Sequence, residues 1–250
     1  MITEPLAHGD SYLHRLDPRL RVVTAAAFSC AVAVFEAFPA LATACGAALA
    51  LLLFSGLEIR AVLRRLAVVL GFLLLLWLVL PLTFEGAVAA DLGPVNLYWP
   101  GITLAARITL KSTAIIAAFT ALAATMPIST LGQALARLRM PAKLVYLLLM
   151  CYRYIYVIEK EYHRLHTAMK IRGFKPRTRL HTYRSYAYLV GMLFVRAAAR
   201  AERVHQAMNC RGFNGRFYSL AVFPPHPANR WFAATAASVM IVLLGLEWLA

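Results

Sequence analysis

Acidic side chains are scarce: 11 Asp+Glu stand against 26 Lys+Arg, leaving the 250-residue chain with a formal net charge of +15. Charge of either sign is thin, at 15% of residues, while 61% are hydrophobic. A soluble domain averages roughly 45–50% apolar residues, so lipid is the predicted solvent for most of this chain. Cysteine is sparse and scattered. Cys30, Cys45, Cys151 and Cys210 form no CxxC pair, which argues against a zinc site or a disulfide framework. Met1 to Arg21 lacks an apolar run and is not read as a signal peptide. What remains is a basic excess with three classes of partner: nucleic acid, an anionic membrane face, or an acidic protein. The hydropathy favours the last two.

No Lys or Arg occurs between Val22 and Leu57, and Pro39 lies midway. Two short spans are predicted there, at about 22–38 and 39–56, each near the lower limit of roughly 17 residues for crossing hydrocarbon. Further spans are predicted at about 66–83, 102–126 and 231–249, five in all, the last opened by the interfacial pair Arg230-Trp231. Arg15, Arg19 and Arg21 precede the first span, and Arg60, Arg64 and Arg65 separate the second from the third. The connections at 36–40 and 85–100 have no basic residue. The positive-inside rule then predicts a multi-pass protein of the cell (inner) membrane with a cytoplasmic N-terminus.

Residues 129–230 hold 18 of the 26 basic residues and three acids, Glu159, Glu161 and Glu202. Their apolar period is helical, interrupted at Pro141, at Gly173 to Pro176 and at Gly212 to Gly215. Three helices are predicted, near 129–139, 142–172 and 181–211. The apolar stretch Leu144–Ile158 is short for a crossing and contains Arg153. A crossing there would carry the basic stretch 160–184 outside, so a helix on the inner leaflet is preferred. The fold class is therefore an all-α integral membrane protein of about five transmembrane helices plus two to three long cytoplasmic helices. Its predicted parts are a membrane domain over 1–128, a cytoplasmic or interfacial helical domain over 129–229, and a final transmembrane helix over 230–250.

The second and third of these helices end alike. Residues 164–174 match 203–213 at seven of eleven positions, an offset of 39. The shared residues include Met169 and Met208, Arg172 and Arg211, Gly173 and Gly212, Phe174 and Phe213. A Schellman stop accounts for most of this. Gly occupies the left-handed C′ position, where a Cβ would cost roughly 1–2 kcal/mol. Phe then stands at C″ against Met at C3, and Arg at the C-cap meets the negative end of the helix dipole. Two readings stay open on the residues alone: plain termination, or two equivalent prongs that each present a guanidinium fork to a partner with two like grooves.

Over nearly its whole length the chain resembles the transmembrane T component of energy-coupling factor (ECF) transporters, the EcfT/CbiQ family, most of all its CbiQ type of cobalt uptake systems. The resemblance rests on His14-Arg15-Leu16-Asp17-Pro18-Arg19, on Met140-Pro141-Ala142-Lys143-Leu144, on Tyr152-Arg153-Tyr154, on the stretch Tyr183 to Phe217, and on both Arg-Gly ends. It implies a coupling subunit of an ABC-type importer without catalysis or cofactor of its own, ATP and magnesium being bound by two cytoplasmic ATPase subunits. A separate CbiM-like membrane subunit would bind the substrate: cobalt, with nickel or a vitamin as alternatives. In the family the two signatures, usually Ala-Arg-Gly, insert into grooves of the ATPases. Here they are Ile171-Arg172-Gly173 and Cys210-Arg211-Gly212, with Ile and Cys in the first position. Met169, Phe174, Met208 and Phe213 would support the caps. Arg15, Asp17, Pro18, Arg19, Arg153, Arg164 and Arg203 would serve structure or partner contacts.

Other signals are weaker. Arg107 and Lys111 share a face of the fourth span and read as functional intramembrane cations or as snorkelling side chains. His166 and His205 lack neighbours at metal-ligand spacing and read as packing residues. A membrane enzyme would need a polar constellation inside the spans, yet all seven histidines lie outside them. A self-sufficient carrier would need ionisable residues along a path. The absence of a binding fold sets nucleic acid aside.

Overall fold

The structure, a computed structural model, describes residues 16–57, 59–83, 88–91, 96–215 and 227–249. The chain divides into two compact units, one of residues 4–134 with 222–250, the other built on 135–221. Among the described residues the regular structure is helical, apart from a short antiparallel ribbon.

The first unit contains α1 (Pro18–Val34), α2 (Phe38–Phe54), α3 (Ile59–Thr83), α4 (Trp99–Leu122) and α8 (Pro227–Leu249). Strands β1 (Val88–Asp91) and β2 (Asn96–Tyr98) pair in the connection between α3 and α4. Among the described residues three helices are long and apolar enough to cross a membrane, over Val62–Thr83, Trp99–Leu122 and Ala228–Leu249, and Phe38–Phe54 is a shorter apolar helix.

Helix boundaries depart from the spans read in the sequence. A turn is predicted between spans at about 22–38 and 39–56; α1 ends earlier, at Val34, the chain turns through Phe35–Ala37, and α2 starts at Phe38 with Pro39 in its first turn. There its missing N–H costs nothing, so the proline starts a helix rather than ending one. Pro18 and Pro100 open α1 and α4 in the same way, moving the first span back from 22–38 and the fourth from 102–126. Helix α3 begins before Arg64 and Arg65, and α8 before Arg230-Trp231; exposed basic residues extend these helices past their apolar stretches.

The core is built from small side chains. Ala40, Leu41, Ala44 and Ala48 of α2 pack with Ala114, Ala117 and Ala118 of α4, closed by Phe28 and Val32 of α1, Phe35 just beyond it and Leu243 of α8. Small residues let backbones approach, and close packing is what associates helices in lipid. Gly101 marks a close approach of α4 to α3. A Cβ there would lie 2.5 Å from the Leu80 carbonyl oxygen and 2.7 Å from the Pro81 Cα of α3.

Two charges hold the α1–α2 corner. The Lys111 ammonium donates to the Ala33 carbonyl (3.0 Å) in the last turn of α1. Both carboxylate oxygens of Glu247 accept from backbone N–H groups at the start of α2, Glu36 at 2.8 Å and Ala37 at 3.1 Å. A cation thus meets a helix C-terminus and an anion a helix N-terminus, as the dipoles favour. The Arg107 guanidinium lies 5.2 Å from the Phe38 ring centroid. Both cations of α4 have a partner at this corner.

Candidate docking site

The second unit carries α6 (Ala142–Ile171) and α7 (Leu180–Cys210); α5 (Ile128–Arg137) carries the chain into it. The two long helices lie within a residue of the stretches read in the sequence. Side-chain contacts run in opposite order along them. The Tyr146 hydroxyl donates to the Met208 sulfur (3.8 Å), Arg196 pairs with Glu161, and the Phe174 ring meets Tyr186 edge-on at 5.6 Å. The rods are therefore antiparallel, and their C-terminal tips stand at opposite ends of the pair. A 30-residue helix is about 45 Å long, which sets the spacing of the tips.

Glu161 is the electrostatic centre of the pair. Arg196 of α7 and Arg164 of α6 (3.7 Å) both reach it, and the hydrogen bond from Arg196 holds its carboxyl below the ordinary value.

Both tips have the same geometry. The Phe174 N–H donates to the Met169 carbonyl (3.1 Å) and the Gly173 N–H to the Lys170 carbonyl (3.0 Å). Phe213 to Met208 (3.1 Å) and Gly212 to Asn209 (3.0 Å) repeat the pattern. These are the 6→1 and 5→2 bonds of a Schellman motif. Gly173 has φ +81 and Gly212 φ +75, with nothing within 4 Å of a Cβ at either. Glycine is demanded by the backbone, and the space beside it is open. Arg172 and Arg211 at the C-caps are exposed, and so are Ile171 (81%) and the free thiol of Cys210. Half-buried Met169 and Phe174 line one cavity of about 460 Å³, and Met208 and Phe213 line another of about 360 Å³.

The other sequence-predicted residues fall elsewhere. Arg15 lies outside the described residues. Asp17 caps α1 by accepting from the Arg19 N–H (3.0 Å), with Pro18 in the first turn. Arg153 and Arg203 are exposed on the rods. His166 stacks on Tyr162 at 5.6 Å, and His205 lies 3.3 Å from the Asn209 amide. Among the described residues no group of three or more His, Cys, Asp or Glu could hold a metal ion.

Sequence reasoning passed over Arg21 as one more inner-face charge. The structure buries it at 2% exposure, with its Nε–H donating to the Leu122 carbonyl (3.1 Å) and Nη2 to the Thr125 hydroxyl. No local pattern marks it, because its partners at the end of α4 are about a hundred residues away.

Comparison with known proteins gives the family. Residues 9–220 match the family described as CbiQ, "Cobalt transport protein". A cobalt transport protein CbiQ from Rhodobacter capsulatus is 31% identical over 152 residues, 58% of this chain and 62% of that protein; the match spans less than two thirds of it. An energy-coupling factor transporter transmembrane protein EcfT from Thermosediminibacter oceani is 25% identical over 83% of this chain and 82% of its own length. A putative fused cobalt transport protein CbiMQ from Methanocorpusculum labreanum is 31% identical over 46% of this chain and 19% of its length. With 212 consecutive residues inside the family match, the chain belongs to the CbiQ family of cobalt transport proteins, transmembrane components of energy-coupling factor transporters.

Proposed function

We propose that this chain couples ATP hydrolysis by two partner ATPase subunits to cobalt uptake through a separate, CbiM-like membrane subunit. The observation that carries the reading is the duplication of one tip at both ends of one antiparallel pair. Two identical caps, each presenting an exposed guanidinium, suit a partner with two like grooves, and a two-fold ATPase dimer offers that symmetry. An Arg fork engages a carboxylate or two carbonyls bidentately, which Lys cannot do. The Schellman bonds close each rod without fraying, so a push at the tip is passed to the rod.

In this reading the N-terminus and the α6–α7 pair lie on the cytoplasmic side of the inner membrane, as the basic excess favours. Closure of the ATPase dimer on ATP would draw the two grooves together and swing the rods about their contact at Glu161 and Arg196. That motion is handed to the substrate-binding subunit. The exposed apolar side chains of α7, Tyr188 (73%), Phe194 (72%) and Val195 (62%), give it a surface to act on.

The test is the double variant Arg172→Ala with Arg211→Ala, expressed with all partner subunits. Uptake of radiolabelled cobalt falls to the background of cells lacking the chain, the ATPases no longer co-purify, and membrane insertion is unchanged. Wild-type uptake by that variant removes the docking assignment, and equal uptake of nickel removes the cobalt assignment.

A further inference from the structure

Arg21 is the buried charge among the described residues, and the docking reading gives it no task. It lies in α1, yet its partners belong to the far end of α4. Leu122 is the last residue of α4, so its carbonyl has no acceptor duty inside the helix. Nε–H of Arg21 satisfies it, and Nη2 of the same fork reaches Thr125 Oγ1 in the turn that follows. Thr125 in turn donates to the Ala121 carbonyl (2.8 Å), so both ends of that last turn are tied to one side chain.

The neighbours extend the tie to a third helix. The Asp17 N–H donates to Asn229 Oδ1 of α8 (3.1 Å), and Leu16, Ala25, Leu122 and Ala228 form one buried cluster with Phe232 packed on it. These helix ends are the ones that matter for load. The first unit runs to residue 134, within α5, the short helix that follows α4, and resumes at residue 222, ahead of α8. One cluster therefore joins the ends of α4 and α8, the two long helices of the bundle that flank the α6–α7 unit along the chain.

Stability alone does not call for a cation here. A buried charge carries a desolvation penalty that well-packed apolar side chains of the same volume avoid. A guanidinium does supply what an apolar plug cannot: two directional bonds to successive acceptors, fixing the last turn of α4 in orientation as well as position.

We propose that Arg21 is a positioning residue for energy coupling, clamping the end of α4 to α1 so that force on the α6–α7 unit moves the helices instead of unwinding that turn. The inference rests on the coupling function proposed above. Its test uses the full transporter in proteoliposomes, with ATP hydrolysis and cobalt uptake measured on the same preparation. In Arg21→Gln the ATPases stay bound and hydrolysis is within about twofold of wild type, while cobalt moved per ATP falls roughly tenfold. Arg21→Lys, which keeps one contact, recovers part of the ratio, and Thr125→Val loses a smaller part. If Arg21→Gln does not assemble, the milder Thr125→Val carries the test. An unchanged cobalt-to-ATP ratio in Thr125→Val, or uptake and hydrolysis falling together in proportion to assembled complex, overturns the clamp. Failure of the wild-type chain to retain ATPases would instead overturn the docking reading.

Discussion

At both tips a residue just beyond the arginine must turn left-handed, and the open space around Gly173 and Gly212 shows that crowding is not the reason. A methyl group there meets no neighbour but strains the backbone by roughly 1–2 kcal/mol. Gly173→Ala is expected to loosen the bonds from Gly173 and Phe174 back to Lys170 and Met169, with faster amide exchange at those two positions. Ile171→Ala, one residue earlier, leaves that exchange unchanged. Both arginine tips were legible in the sequence because a Schellman stop is local: Met, Arg, Gly and Phe at fixed offsets carry the whole geometry, and the chain writes it twice. Arg21 was not. Its role depends on Leu122 and Thr125, and nothing within a turn of Arg21 announces a carbonyl brought from the end of another helix.

Between residues and molecule stand the two rods and the corner of the bundle. The long helices α6 and α7 were legible from period and from their punctuation at Pro141, Gly173 and Gly212. Their antiparallel register was not, because it rests on Glu161 finding Arg196 among many arginines. That pair has a pH signature. Glu161 titrates below its ordinary value of 4.5, chiefly through the hydrogen bond from Arg196. A lowered carboxyl pKa means that the stabilisation is present above the ordinary value and is lost as pH falls through the lowered one. Spin labels on α6 and α7 should report a single distance at neutral pH that broadens in acid. In Glu161→Gln the distribution should be broad at both. At the α1–α2 corner Pro39 marks the hairpin in the sequence but not the side chains that hold it. The turn is placed instead by Glu247 and Lys111, which come from α8 and α4.

For the whole molecule, composition was enough to establish a helical membrane protein and family likeness enough to place it among the CbiQ proteins. Span count was less direct. Helices α1 and α2 have 17 residues each, about 25 Å, against a hydrocarbon core near 30 Å. Their Ala-rich packing on α4 says more about their place than their hydropathy does. The functional account asks one thing of the assembled transporter: two like tips, about one helix length apart, each seated in an ATPase subunit. The most direct measurement is site-specific photo-crosslinking in the intact complex, with the photoreactive residue placed at Ile171 in one variant and at Cys210 in another. The account predicts that each position traps an ATPase subunit, with yields that change on adding ATP. Trapping only of this chain itself, or of the membrane subunit alone, at either position would contradict it.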